Sequence, residues 1–262
     1  MKSASRSGLF PPLLAGLVLS AWLALWGWDE GPYSRYLNHT GWLGSGPIGH
    51  LCSTVPGGGV LLPVMLHIIA WLLMLSAMML GTTAPLLQIF RRLTRARSNR
   101  HSLLALVLLG YLAIWTLFGV GVHALDSGLH ALAVQIPWLT VHAWLLGTLI
   151  LATAGGYQFS SLKHRCMDRC RSPLVFVTEH WHGGNERRAS LMLGLHHGLV
   201  CIGCCWALML LMFAVGAGSI GWMLALAAIM ATEKNLPWGH HIRRPLGLAL
   251  LVWAAAIVAQ NL

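Results

Sequence analysis

LMLGLHHGLVCIGCCWALMLLMFAV, residues 191–215, decides the fold. It carries no Asp, Glu, Lys or Arg. As a helix rising about 1.5 Å per residue it spans a hydrocarbon core of roughly 30 Å with length to spare. A run this long and this apolar calls for lipid rather than water as its solvent. Yet it carries two histidines, which are costly in lipid unless they have partners, together with three cysteines.

Working outward, the chain repeats this pattern. Of 262 residues, 56% are hydrophobic and 9% charged, with mean hydropathy +0.68. Transmembrane strands would read as alternating segments of about ten residues, whereas these runs are continuous. The expected fold is therefore all-α, a polytopic transmembrane bundle making one domain over 1–262. Seven helices are expected near 9–28, 60–80, 102–122, 138–156, 191–215, 220–232 and 245–262, with a loop over 157–190. The first follows Lys2 and Arg6 without a small-residue cleavage site, so it reads as a retained helix. The sixth is short enough to tilt or to re-enter the same face.

The formal charge of +10 does not point to nucleic acid, because the basic residues fall in short clusters between apolar runs. Arg91, Arg92, Arg95, Arg97 and Arg100 crowd one connector, and Lys163, Arg165, Arg169, Arg171, Arg187 and Arg188 another. Under the seven-helix scheme 16 Lys and Arg lie on one side and only Arg35 on the other. The positive-inside rule then puts the N-terminus in the cytoplasm and the C-terminus outside. If the sixth helix does not cross, the C-terminus ends inside instead. Five of the six cysteines fall in or beside segments inside the cell or the membrane, where thiols stay reduced.

Spacing of three and four residues puts His197, Cys201, Cys204 and Cys205 on one side of the fifth helix, with Met209 and Met212 further along it and His196 adjacent. Thiolate, imidazole and thioether select soft ions such as Cu(I) or Zn(II), and the chain has only seven acidic residues for harder ones. The competing reading is packing: cysteines are small and apolar, and Gly194, Gly198 and Gly203 suit close helix contact.

In 157–190, Cys166 and Cys170 share a face if the stretch is helical, and the surrounding Arg and Lys are expected to lower their thiol pKa. Free thiols on a basic interfacial helix are the alternative. Met74, Met78 and Met79, with His67 and Trp71, form a stripe that suits either ligation or plastic packing. His39, His50, Cys52, His123, His130 and His142, with Asp126, lie on the expected outer side, and His180, His182, His240 and His241 on the inner. Glu233 and Lys234 close the sixth helix as a buried ion pair, as partners of the site, or as an interfacial pair. No Gly-rich phosphate loop is present for ATP-driven pumping, and no carboxylate pair lies in a membrane segment for a di-iron site.

Tyr157-Gln158 through Leu162-Lys163 to Cys166 and Cys170-Arg171-Ser172-Pro173, then Gly194, His197-Gly198, Cys201 and Gly203-Cys204-Cys205-Trp206-Ala207-Leu208-Met209, resemble the bacterial predicted metal-binding integral membrane proteins. Trp222-Met223 and Glu233-Lys234 continue the likeness, as do Ala77-Met78-Met79 and Pro85, so that it covers about 71–239. Members are regarded as copper chaperone-like, and one branch resembles the membrane partner that helps a bacterial tyrosinase acquire copper. The resemblance implies that Cys166, Cys170, His197, Cys201, Cys204 and Cys205 handle copper. This chain departs from the pattern at Ser160-Ser161, where a Pro often precedes the Leu-Lys pair, and at Ala217, where a Met is usual.

The expected function is non-enzymatic: Cu(I) bound through Cys, His and Met and delivered to a copper-dependent enzyme or a periplasmic copper carrier. Two alternatives stay open. A membrane thiol-disulfide oxidoreductase would cycle Cys204 with Cys205, or Cys166 with Cys170, although adjacent side chains on a helix diverge. An accessory subunit of a membrane oxidase would use His196 and His197, which project about 100° apart.

Overall fold

A computed structural model describes residues 10–31, 61–181, 184–215 and 219–261. Arg35, His39, His50, Cys52, His182 and Ala217 lie outside the described residues. In chain order the helices are α1 (Phe10–Asp29), α2 (Leu61–Leu93), α3 (Arg100–Gln135), α4 (Pro137–Val141), α5 (Trp144–Tyr157), α6 (Ser161–Arg171), α7 (Pro173–His180), α8 (Glu186–Val215), α9 (Ile220–Asn235) and α10 (Arg243–Asn261), with a 3₁₀ turn at Gly239–His241. There is no strand among the described residues.

Among the described residues, five helices are long and apolar enough to cross a membrane: Phe10–Asp29, Met65–Leu93, Arg100–Ala133, Glu186–Val215 and the segment Gly239–Asn261. The other two expected crossings fall short. α5 has 14 residues and α9 has 16, so that each rises only about 20–24 Å.

The expected boundaries shift for identifiable reasons. The second helix does not stop at Leu80. It continues through Pro85 to Leu93, while the hydroxyls of Thr82 and Thr83 donate to the carbonyls of Met79 and Leu80 (2.8 and 2.9 Å). The third helix absorbs His123, Asp126 and His130, which the sequence reading gave to a linker. It ends only where Pro137 forces Ile136 into extended backbone, φ −116° and ψ 97°. Pro137 then opens α4 at its first turn, which suits a residue without an N–H. The fourth expected helix is broken at His142, whose Nδ1–H donates to Trp138 O, the carbonyl that also takes its backbone N–H.

The stretch 157–190, expected as a loop, is mostly helix. Ser160 caps α6 by accepting the Lys163 N–H at its hydroxyl, 3.1 Å. This serine is one of the departures from the family pattern, and it supplies a start signal that a proline would have given differently. Pro173 starts α7, which buries Phe176 and Val177 against Leu86, Leu87, Phe90 and Leu193.

The organising element is α8. It runs in the same direction as α3, and the two approach so closely that their contacts are backbone on backbone. A Cβ at Gly110 would lie 2.6 Å from Leu191 O, and one at Gly194 would overlap Val107 O. At the head of both helices Arg97 and Asn99 meet the carboxylate of Glu186 (3.0 and 3.3 Å). The other side of α8 takes α5 and α6, so the three cysteines of α8 are enclosed by helices rather than presented outward. By contrast α1 buries only Ala21 and Leu25 and exposes Leu13, Leu17, Leu19, Leu23 and Trp26.

Candidate metal centre

Cys201, Cys204 and Cys205 follow the three-and-four rhythm of α8, so their side chains leave the same side of the helix. Their sulfurs lie within 4.8 Å of one another, and all three are buried. Two of the thiols donate back to the helix: Cys204 Sγ lies 3.0 Å and Cys205 Sγ 2.8 Å from Cys201 O.

Three other elements complete the surroundings. From α6, Cys170 Sγ reaches to 3.7 Å from Cys204 Sγ, and Cys166 Sγ fills the space that Gly203 leaves open, 2.6 Å from where a Cβ would stand. From α3, the Tyr111 hydroxyl is 3.3 Å from Cys201 Sγ. From α9, Lys234 Nζ donates to Cys201 Sγ at 3.0 Å and to Cys205 Sγ at 3.7 Å. The same ammonium is 3.5 Å from Thr82 Oγ1 and 3.8 Å from Met79 Sδ of α2.

The expected lowering of the loop thiols' pKa is overturned. Burial pushes the Cys166 thiol up, and the neighbouring Cys204 adds to this, against a smaller downward pull from Arg169. Cys170 is pushed up as well, by hydrogen bonding with Cys201 and Cys204 and by burial. The arginines of α6 were counted correctly, but the thiols face the bundle rather than the basic surface.

Glu233 and Lys234 are not partners. Consecutive helical residues project about 100° apart, and each finds a different neighbour. Glu233 accepts from Lys163 Nζ at 2.8 and 3.1 Å, both groups fully buried, and Lys163 donates also to Gln158 Oε1. Arg171 closes the end of α9 by donating to Leu236 O and Pro237 O (2.8 and 2.9 Å).

The other expected site residues divide. His197 is buried beside the sulfur group. Its ring stacks on Tyr111 at 5.7 Å between centroids and meets Phe176 edge-on at 5.5 Å, and its Nδ1 has no hydrogen-bond partner. It does not join the three sulfurs as a fourth converging ligand. Met78 and Met209 are buried in the same core cluster as the cysteines, as are Met74 and Met212. His196 is exposed on the opposite side of α8, its ring 4.9 Å from that of His180. His67 and His123, assigned to different groups by sequence, stack at 3.7 Å between α2 and α3, with Asp126 buried one turn on.

Sequence reasoning missed Tyr111 and left Lys163 as an ordinary basic residue. Tyr111 gave no signal. Lys163 gave a weak one, since Gln158 and Lys163 both lie in the stretch that carries the family likeness.

Fold and site together define a class: an all-helical protein with several helices able to cross a membrane and a buried three-thiol group on its central one. The family described as PpoB2, copper chaperone, matches residues 68–257, and the chain belongs to that family. No curated protein matches the chain, and neither does any solved structure.

Proposed function

We propose that this protein is a multi-pass bacterial inner-membrane copper chaperone that holds Cu(I) among Cys201, Cys204 and Cys205 and passes it to a copper enzyme or periplasmic copper carrier. The observation that carries the reading is the meeting of three buried sulfurs on one helix, in a chain of a copper chaperone family. Soft, polarizable donors in a site poor in carboxylates favour Cu(I) over hard ions. Cys166 and Cys170 extend the donor set toward α6, where an ion would exchange between the Cys170 and Cys204 sulfurs. His197, Met78 and Met209 line the continuation of the core and serve as secondary ligands. His196 sits outside it, and its role in this scheme is surface uptake together with His180. The chain acts by binding and release, not by catalysis.

The proposed topology keeps the start of α1 inside and the end of α10 outside, with α4 and α5 acting together as one crossing and α9 as a short one. The apolar outer faces of α1 and α10 are what a lipid solvent accommodates.

Elemental analysis of the purified protein, reconstituted with Cu(I) under reducing conditions, tests the reading. About one or more copper ions per chain are expected, lost in the Cys201→Ser, Cys204→Ser, Cys205→Ser triple variant. A wild type that stays copper-free overturns it.

One observation favours a second reading, a thiol-disulfide function. Cys170 and Cys204 bring two sulfurs to 3.7 Å from different helices, a better pair than the adjacent Cys204 and Cys205 or the α6 pair. Mass mapping after mild oxidation distinguishes them: a Cys170–Cys204 disulfide formed reversibly without metal supports the redox reading.

A further inference from the structure

The sulfur cluster contains a resident cation. Lys234 Nζ has Cys201 Sγ at 3.0 Å, Cys205 Sγ at 3.7 Å and Met79 Sδ at 3.8 Å, so two thiols and one thioether from α8 and α2 surround a single point. The remaining thiol of α8, Cys204, faces Cys170 instead. Glu233, adjacent in sequence, does not compensate the ammonium, because it is taken by Lys163. The charge that Lys234 faces is thus whatever the sulfurs and their ion carry.

We propose that Cys201, Cys205 and Met79 form the ion-binding trio and that Lys234 is the specificity residue, its fixed positive charge selecting a monovalent soft ion over a divalent one. The inference rests on the copper reading and narrows it: within the three-cysteine group Cys201 and Cys205 hold the ion with Met79, while Cys204, which faces Cys170, serves the exchange toward α6. Both sulfurs bind the ion as thiolates. Two thiolates and a neutral thioether around Cu(I) carry −1, which the ammonium brings to zero. The same trio around Zn(II) is neutral, and the ammonium leaves a net +1 in the core. An uncompensated charge is strongly disfavoured there, because like charges about 4 Å apart repel far more than in water. The ammonium need move only toward Thr82 Oγ1, 3.5 Å away, to make room while remaining in contact.

The test uses the full-length protein in detergent, titrated separately with Cu(I) against a chromophoric Cu(I) chelator and with Zn(II) against a zinc chelator. Lys234→Met and Lys234→Gln are expected to lower the ratio of Cu(I) to Zn(II) affinity at least about tenfold. Met79→Leu is expected to weaken Cu(I) about tenfold with little change in Zn(II). A ratio unchanged within about twofold in both Lys234 variants overturns the inference while leaving copper binding intact. Wild type alone supplies a further check that requires no variant to fold. Strong thiolate-to-cobalt charge-transfer bands at stoichiometric Co(II), at an affinity rivalling Cu(I), overturn it, and their absence supports it. A wild type that takes up neither Cu(I) nor a divalent ion overturns the copper reading and this inference with it.

Discussion

Two lysines are buried among the described residues, and they are held in opposite ways. Lys163 is fully buried and meets a carboxylate and an amide oxygen, Glu233 and Gln158. Lys234, 7% exposed, meets sulfur atoms. The first has a partner of fixed opposite charge and so locks α6 to α9. The second has partners whose charge depends on whether they hold protons or an ion. A carboxylate pair makes a strut, whereas a lysine among thiols makes a site that responds to its contents.

The comparison is broken most directly at the strut. Lys163→Met leaves Glu233 buried without its cation and is expected to cost about 3–5 kcal/mol, read as a fall in thermal unfolding temperature in detergent. Adding Glu233→Met should recover most of that loss, because the cost lies in the unpaired charge. Next in size is the helix contact that positions the cluster. Gly194→Ala puts a Cβ into Val107 O, backbone that cannot swing aside, and should cost about 1–3 kcal/mol by the same measurement.

Lys234→Met should cost less stability than Lys163→Met, about 1–2 kcal/mol, because it removes a hydrogen-bond donor to sulfur without leaving a carboxylate buried and unpaired. If the two substitutions destabilise equally, the distinction between strut and responsive site fails. Smallest is His196→Ala, which should alter stability by no more than about 0.5 kcal/mol and leave copper stoichiometry unchanged, since the side chain is exposed away from the sulfurs.

These contrasts show where sequence reasoning reached. The face of α8 was legible because helical periodicity is local: spacing alone aligned Cys201, Cys204 and Cys205, and the sulfurs do converge. Cys166 and Cys170 were legible as a pair on one helix, but not their direction, so the burial that outweighs the downward pull of the nearby arginine was not legible. Glu233 and Lys234 invited pairing by adjacency. Which partner each takes depends on α6 and α8, which lie far along the chain.

The sequence by itself determined the helical class, the apolar lengths and the line of sulfur along α8, because each follows from composition and a 3.6-residue period. Only the tertiary structure decided that α3 runs on to Pro137, that 157–190 folds back as α6 and α7, and that Tyr111, Met79 and Lys234 gather on the cysteines. Those facts depend on which helices touch. Contact between distant segments is settled by the shape of packed side chains and by the cost of burying an unpaired charge, neither of which has a signature within a single run of residues.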